Sequence, residues 1–135
     1  MERTWVMVGS LASLVMVAAG AFGAHALREV LDPDLLVVFE TGTRYGTTHA
    51  LALLVLGVLM IHHPSRRLGL AARFMALGIV VFTGSLWVLA LTGLRWMGAI
   101  TPIGGLSFLV GWGLVAWAAF RELGSPAGPK GASNA

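Results

Sequence analysis

The charges of this 135-residue chain fall in clusters that are separated by four long runs without Asp, Glu, Lys or Arg. The runs are 21 to 25 residues long and cover residues 4–27, 45–65, 74–94 and 96–120. Because about 20 helical residues cross a hydrocarbon core of about 30 Å, each run is long enough to span a membrane. Only helices and closed barrels satisfy every backbone amide in lipid, and the polar–apolar alternation of barrel strands is missing. The sequence therefore predicts four transmembrane helices, at about residues 5–27, 43–62, 70–93 and 97–120.

The composition favours the same conclusion. Hydrophobic residues make up 57% of the chain and charged residues 11%, whereas soluble domains have about 45–50% and about 25%. This disfavours a soluble enzyme, a disordered protein and a nucleic-acid-binding module, which needs a basic stripe on a soluble face. We predict an all-α fold, an integral membrane four-helix bundle in one domain over residues 1–122. Residues 123–135 are then a mobile cytoplasmic tail rich in Gly, Ser and Pro.

The segment between the first two predicted spans favours a short interfacial helix. Asp32 and Pro33 are typical of a helix N-cap followed by proline at the first helical position. A helix running unbroken from Pro33 to Ile61 would be about 43 Å long, which exceeds the hydrocarbon core. We therefore expect its first turns to lie along the outer membrane surface or to project from it.

The first predicted span shares one feature with a secretory signal peptide. Ala24-His25-Ala26 is similar to a small-x-small cleavage site. The apolar stretch before it is longer than the typical apolar region of about 7–15 residues. An uncleaved transmembrane helix is therefore the favoured interpretation.

The distribution of Lys and Arg predicts the orientation. Six basic residues fall on the side that carries both termini and the middle loop: Arg3, Arg66, Arg67, Arg73, Arg121 and Lys130. Three fall on the other side: Arg28, Arg44 and Arg95. Because cytoplasmic loops carry the excess of Lys and Arg, we expect a multi-pass inner (plasma) membrane protein with both termini in the cytoplasm. Its expected partners are membrane lipids, and a homo-oligomer or larger membrane complex, but not nucleic acid.

Polar side chains within the predicted spans converge on the outer leaflet. The candidate ligand-binding residues are His25, Tyr45, His49, Ser85 and Thr101. Tyr45 and His49 are four residues apart and share a helix face. Either these side chains hydrogen-bond one another and fix helix register, or they line a pocket for a lipid headgroup, a quinone or a small polar solute. A catalytic site with His49 as a base is a third interpretation, although no acid or nucleophile lies beside it in a hydrolase-like pattern.

Glu40 and Arg44 are spaced for an interfacial ion pair that closes the outer rim, with a gate for a polar ligand as the alternative. Metal binding is not predicted. His62 and His63 are adjacent and cannot chelate one ion from one helix face, and two histidines on different helices fall short of the usual three or four ligands. No cofactor motif is present, and the chain has no cysteine.

Small residues are abundant, with 18 glycines in the chain, and small residues spaced four apart let transmembrane helices approach closely. Packing inside one bundle and a dimer interface both fit this pattern. The candidate packing residues are Gly20, Gly23, Ala24, Gly42, Gly46, Gly84, Gly104, Gly105, Ser107 and Gly111.

Four ordered segments carry a family resemblance: residues 20–27 (GAFGAHAL), 41–49 (Thr41-Gly42 with Tyr45 and His49), 82–91 and 101–112 (TPIGGLSFLVGW). Across about residues 5–120 the chain resembles a small four-span membrane family filed as domain of unknown function number four hundred twenty-three. Its eukaryotic relatives include the protein called transmembrane protein two hundred fifty-six. The resemblance implies four membrane helices, bacterial members in the inner membrane and no established activity. It supplies no catalytic residue.

Three functional hypotheses follow. The first is a non-enzymatic accessory or assembly factor that binds a lipid or another membrane protein, because no catalytic constellation accompanies the Gly-rich helices. The second is a binder or carrier of a small molecule, such as a quinone or a polar solute, through the outer-leaflet pocket. The third is an intramembrane enzyme that uses His49 as a base.

Overall fold

A computed structural model describes residues 2–123, apart from the side chains of Ala24 and Leu123. Helices dominate these residues, which contain no β-strand. The α-helices are α1 (Glu2–His25), α2 (Pro33–His62), α3 (Arg66–Gly78), α4 (Gly84–Thr92) and α5 (Thr101–Ala118). Short 3₁₀ segments cover Leu27–Glu29 and Arg95–Ala99, and π-helical segments cover Ile79–Thr83 and Ala119–Leu123.

Four stretches of this chain are long and apolar enough to cross a membrane, which confirms the predicted all-α bundle of four membrane helices. We number them spans 1 to 4: Glu2–Glu29, Pro33–His62, Arg66–Thr92 and Arg95–Glu122. Span 3 is one continuous helix that consists of α3, the π-helical segment Ile79–Thr83 and α4. The predicted tail, residues 123–135, lies outside the described residues except for the backbone of Leu123.

Successive spans run in opposite directions, so the bundle has two distinct ends. Glu2, His62, Arg66 and Glu122 lie at one end, which we call the terminal end. His25, Pro33, Thr92 and Arg95 lie at the other, which we call the opposite end.

The segment expected at the membrane surface forms the first turns of α2. The helix continues without a break for 30 residues, or about 45 Å, and is therefore longer than the hydrocarbon core. Pro33 occupies its first turn, and Asp32 is the N-cap residue, but the Asp32 side chain makes no capping hydrogen bond. The start of α2 thus depends on proline geometry, without the predicted side-chain cap.

Two local signals fix the turns at the ends of span 3. Ser65 is the N-cap of α3, and its Oγ accepts a hydrogen bond from the backbone N–H of Leu68 at 3.2 Å. At the opposite end Gly93 ends α4 with a φ of 73°, the left-handed conformation that glycine adopts without strain. The chain can therefore reverse within a few residues before span 4.

The core lies mainly between spans 2, 3 and 4, and Met16 of span 1 also belongs to it. Leu53, Leu68 and Met75 are among its fully buried side chains. A smaller apolar cluster at the opposite end joins Leu27 and Phe39 to Ala90. Many large apolar side chains elsewhere point outward, as expected for helices that face lipid tails.

Candidate functional site

His49 occupies the centre of the polar network predicted in the outer half of the bundle. Its side chain is buried, with Nδ1 2.7 Å from the carbonyl oxygen of Tyr45, one turn earlier. Trp112 on α5 donates its indole N–H to His49 Nε2 at 3.1 Å. Because Nε2 accepts this bond, the ring proton lies on Nδ1 and is donated to Tyr45. His49 is therefore a neutral imidazole with both nitrogens engaged.

Aromatic rings enclose this imidazole. The ring of Phe108 stacks on His49 with centroids 3.4 Å apart, and the Tyr45 ring lies nearly parallel to it at 6.4 Å. Tyr45 also packs against Phe82 at 4.9 Å between centroids. The Tyr45 hydroxyl has no hydrogen-bond partner among the described residues, and this side chain is 45% exposed. Tyr45 thus contributes its ring and its backbone carbonyl to the network.

Ser85 and Thr101 form a second polar group between spans 3 and 4. Their hydroxyl oxygens lie 2.8 Å apart. The Ser85 hydroxyl also lies 3.0 Å from the Phe82 carbonyl oxygen, and the Thr101 hydroxyl 3.3 Å from that of Met97. These two side chains satisfy each other and the local backbone.

The structure therefore brings four of the five candidate residues together as two pairs, Tyr45 with His49 and Ser85 with Thr101. Phe82 lies between the pairs, because its ring contacts Tyr45 and its carbonyl accepts from Ser85. The fifth candidate, His25, is exposed at the end of α1 and bonds to no other described residue through its side chain.

A third polar group, between spans 2 and 3, has no counterpart in the sequence predictions. Trp87 donates its indole N–H to the Thr43 hydroxyl at 3.1 Å, and its ring stacks on Phe39. One turn away, Thr83 donates to the carbonyl oxygen of Gly42 at 3.0 Å. The signal was present in the sequence, since a tryptophan or threonine inside a span needs an acceptor. The identity of that acceptor depends on helix rotation.

The π-helical segment Ile79–Thr83 interrupts the α-helical geometry of span 3 beside these polar side chains. A π-helical turn contains more residues than an α-helical turn and so shifts the register of everything that follows. Thr83, the last residue of this segment, faces span 2, whereas Ser85, two residues later and therefore on nearly the opposite side of the helix, faces span 4. One short stretch of span 3 thereby bonds to both of its neighbours.

The predicted packing residues differ in how closely they approach other helices. A Cβ on Gly23, Gly42, Gly46, Gly104 or Gly111 would meet a neighbouring helix within 3.1 Å. A Cβ on Gly20 or Gly105 would make only ordinary van der Waals contact with its neighbours. A Cβ on Gly84 would have nothing within 4 Å, so Gly84 does not mediate close packing. Ser107 is buried and donates to the carbonyl oxygen of Phe74 at 2.8 Å. The Ala24 side chain lies outside the described residues.

The predicted ion pair at the outer rim does not form. No nitrogen of Arg44 lies within 4.0 Å of a Glu40 carboxylate oxygen in the described chain, and both side chains are exposed. An exposed pair at this spacing gains too little in water to fix two long side chains. Glu40 and Arg44 instead line a cavity of about 200 Å³ between α1 and α2, with Gly20, Gly23, Phe39 and Thr43.

A larger cavity, of about 620 Å³, opens at the terminal end. Ten residues line it: Glu2, Trp5, Met60, Pro64, Ser65, Arg66, Arg67, Gly69, Leu70 and Arg73. None of the five candidate ligand-binding residues lines this cavity or the smaller one. The cavity combines three arginines with apolar side chains, and sequence reasoning did not identify it as a site.

The three arginines of this cavity are not equivalent. Arg67 forms an ion pair with Glu122, and its guanidinium carbon lies 4.7 Å from the ring centroid of Trp117. These contacts join the start of span 3 to the end of span 4. Arg66 and Arg73 have no ion pair and no side-chain hydrogen bond to any residue in the described part of the chain. Two arginines of this cavity therefore have no ion-pair partner among the described residues.

Comparison with known proteins shows the family to which the chain belongs. A family model described as "Protein of unknown function (DUF423)" matches residues 19–105, which is more than half of the chain. The chain belongs to this family. The match includes Tyr45, His49 and the residues that line the smaller cavity but ends before Phe108 and Trp112, the two contacts of His49 on α5.

Relatives cover almost the whole chain. A UPF0382 membrane protein of Staphylococcus aureus is 38% identical over 122 residues, which are 90% of this chain and 99% of that protein. The UPF0382 inner membrane protein YgdD of Escherichia coli is 40% identical over 120 residues, 89% and 92% of the two chains. No solved structure matches. The chain is thus a small multi-pass membrane protein of an uncharacterised family, with inner membrane proteins among its relatives.

Proposed function

We propose that this protein is a non-enzymatic accessory factor of the inner membrane that binds membrane lipid at its terminal end. The observation that supports this most directly is the cavity of about 620 Å³, lined by arginines beside Trp5, Met60 and Leu70. Apolar lining with a few polar groups is typical of small-molecule sites, and this volume lies within their usual range of about 300–1,000 Å³. A basic pocket between membrane helices is also a recurrent lipid-headgroup site.

The polar network in the other half of the bundle supports a structural role better than a catalytic one. A general base needs a nitrogen that is free to take a proton. Both nitrogens of His49 are already bonded, and taking a proton on Nε2 would break the bond from Trp112. The hydroxyls of Ser85 and Thr101 are likewise bonded to each other.

The comparison of the two cavities favours lipid over a small solute or a quinone. The cavity beside Glu40 and Arg44 has a volume of about 200 Å³, below the usual range for ligand pockets. The terminal-end cavity is about three times larger and carries the apolar surface that an acyl chain needs. The proposal therefore assigns lipid binding to the terminal end.

The proposal includes the orientation predicted from sequence. Five of the described basic residues lie at the terminal end: Arg3, Arg66, Arg67, Arg73 and Arg121. The cytoplasmic leaflet carries anionic lipids, so a terminal end in the cytoplasm places these charges beside their counter-ions. Accessibility of single cysteines placed at Ser65 and Gly98, probed with a membrane-impermeant thiol reagent in intact cells, tests this. Labelling of Ser65→Cys from outside would contradict it.

Filling the cavity tests the function. A Cβ on Gly69 would lie 4.0 Å from the nearest neighbour, Met60 Sδ, so Gly69→Leu adds bulk to the cavity without a backbone clash. Gly113→Leu is the matched control, because Gly113 is also helical and has nothing within 4 Å. We expect native mass spectra of the full chain released from nanodiscs to show lipid adducts on wild type and Gly113→Leu, reduced in Gly69→Leu. Equal retention by all three would contradict lipid binding in this cavity.

A further inference from the structure

We propose that Arg66 and Arg73 together bind the phosphate group of an anionic phospholipid. This inference rests on the proposed function, because it names the lipid class and the residues that select it. Both side chains line the terminal-end cavity, both are exposed to it or to solvent, and neither has a partner among the described residues.

The helix places the two arginines on one face. They are seven residues apart on α3, which is nearly two full turns and about 10.5 Å along the axis. Arg66 begins the helix, and Arg73 lies two turns further into the span. Two long side chains on one face, separated by this distance, can converge on a single group that lies between them.

The neighbouring charges leave these two arginines available. Arg67, the third arginine of the cavity, is already paired with Glu122 and lies over Trp117. Glu2 is the acidic residue among those that line the cavity, so three arginines face one carboxylate there. The lining therefore carries an excess of positive charge even with Glu2 counted.

The depth of Arg73 favours an anion supplied by the bilayer. Arg73 lies inside span 3, seven residues after its first residue. Ionised side chains inside a span are costly, and they pair with another charged group or extend towards the interface. Since no carboxylate of the described residues forms an ion pair with Arg73, the phosphate layer of the membrane is an available source of negative charge.

The remaining lining suits a lipid better than a free anion. Trp5 is half-buried, and its indole N–H has no acceptor among the described residues, so it can donate to a phosphate or ester oxygen. Met60 and Leu70 add apolar surface beside the arginines. Guanidinium groups bind phosphate oxygens in pairs, so these arginines suit the headgroup of a phospholipid.

The test compares two double variants that remove the same charge from the same end. Arg66→Gln with Arg73→Gln removes both cavity arginines. Arg3→Gln with Arg121→Gln removes two arginines that do not line the cavity and is the matched control. The full chain is placed in nanodiscs that contain equal phosphatidylglycerol and phosphatidylcholine, and native mass spectrometry measures which lipid each variant retains.

We expect wild type and the Arg3/Arg121 variant to retain phosphatidylglycerol in preference to phosphatidylcholine. The Arg66/Arg73 variant should lose that preference by about tenfold, since each arginine beside an anionic group contributes a few-fold in affinity. An equal loss in both double variants would show only general surface attraction and would overturn the site. An unchanged preference in the Arg66/Arg73 variant would overturn it as well.

Two further arms distinguish a bound lipid from a free anion, and a lost charge from a lost fold. Millimolar inorganic phosphate should leave phosphatidylglycerol bound, and displacement of the lipid by phosphate would overturn the lipid assignment. The double variant Arg66→Lys with Arg73→Lys keeps both positive charges, so it should fold even if the Gln double variant does not. It should retain only part of the preference for phosphatidylglycerol over phosphatidylcholine. If every variant retains both lipids equally while Gly69→Leu retains neither, the headgroup site is wrong and lipid binding in the cavity still holds.

Discussion

Span 1 is held in this bundle by different interactions from those that join spans 2, 3 and 4 to one another. Spans 2, 3 and 4 exchange hydrogen bonds, which include Trp112 to His49, Trp87 to Thr43 and Ser107 to the Phe74 carbonyl. No side-chain hydrogen bond reaches from described residues 3–23 of span 1 to another helix. In the most apolar 18-residue window of each span, 17% of the window is buried in span 1, against 39% in spans 2 and 3 and 28% in span 4.

Span 1 is attached to span 2 through glycines. A Cβ on Gly9 would lie 2.5 Å from the backbone nitrogen of Leu54, and one on Gly57 would lie 2.6 Å from that of Val6. The two backbones are therefore in contact at Gly9 of span 1 and at Gly57 of span 2. Van der Waals contact at this distance replaces the side-chain bonds that join the other spans.

The comparison shows how each kind of interface specifies its geometry. Hydrogen bonds fix the rotation of a helix, because a donor must face its acceptor, whereas glycine contacts fix the distance between two helices. Span 1 even buries one hydroxyl, Ser13 Oγ, without a partner among the described residues. The glycine interface should therefore be sensitive to volume and insensitive to polarity, whereas the bonded interfaces, which also contain close glycine contacts at Gly46 and Gly104, should be sensitive to both.

The largest effect should come from adding volume at the backbone contact. We expect Gly9→Ala to destabilise the fold by about 2–3 kcal/mol, because the new methyl group overlaps the α2 backbone, which cannot move aside as a side chain can. Gly84→Ala is the control, since nothing lies within 4 Å of its Cβ position, and it should be neutral or slightly stabilising. Denaturant unfolding in micelles measures both. Equal stability of the two variants would contradict a glycine-mediated interface.

A smaller effect should follow from removing the donor to His49. Trp112→Phe keeps most of the ring but leaves Nε2 without its N–H partner, and we expect a loss of about 1 kcal/mol. Trp96→Phe, on a side chain that is 63% exposed, should cost less. Nitrogen NMR of labelled histidine gives a second readout, because wild type should show the proton on Nδ1. A proton on Nε2 would contradict the assigned bond.

The smallest effects should distinguish a bonded serine from an unbonded one. Ser107→Ala removes the bond to the Phe74 carbonyl and should cost about 0.6 kcal/mol. Ser13→Ala removes a buried hydroxyl that has no partner among the described residues and should cost nothing or stabilise slightly. The same unfolding measurement separates them. A larger loss for Ser13→Ala than for Ser107→Ala would reverse the proposed contrast between the two interfaces.

The sequence predicted the spans because lipid imposes a rule that one chain can express alone. A helix that crosses hydrocarbon must be free of charge for about 20 residues, and the four runs bounded by residues such as Arg44 and Arg95 meet that rule independently of how the helices pack. Proline at the start of α2 and the short turn before span 4 are equally local signals.

Other predictions failed or were missed because they depend on helix rotation and distance. The small-residue pattern did not distinguish Gly84, which faces open space, from Gly9 and Gly57, which contact another backbone. The spacing of Glu40 and Arg44 permits an ion pair but does not make it favourable enough to form. Each of these outcomes depends on a neighbouring helix or on solvent, which spacing along the chain does not describe.

The partners of the polar residues were likewise decided by tertiary structure. The charge pattern of the sequence determined how many helices cross the membrane and which residues lie at depth. The rotation of span 3 then turned Thr83 towards span 2 and Ser85 towards span 4, and the approach of α5 brought Trp112 to His49. Hydrogen bonds are directional and short, so the rotation and separation of whole helices decide which of the available donors and acceptors meet.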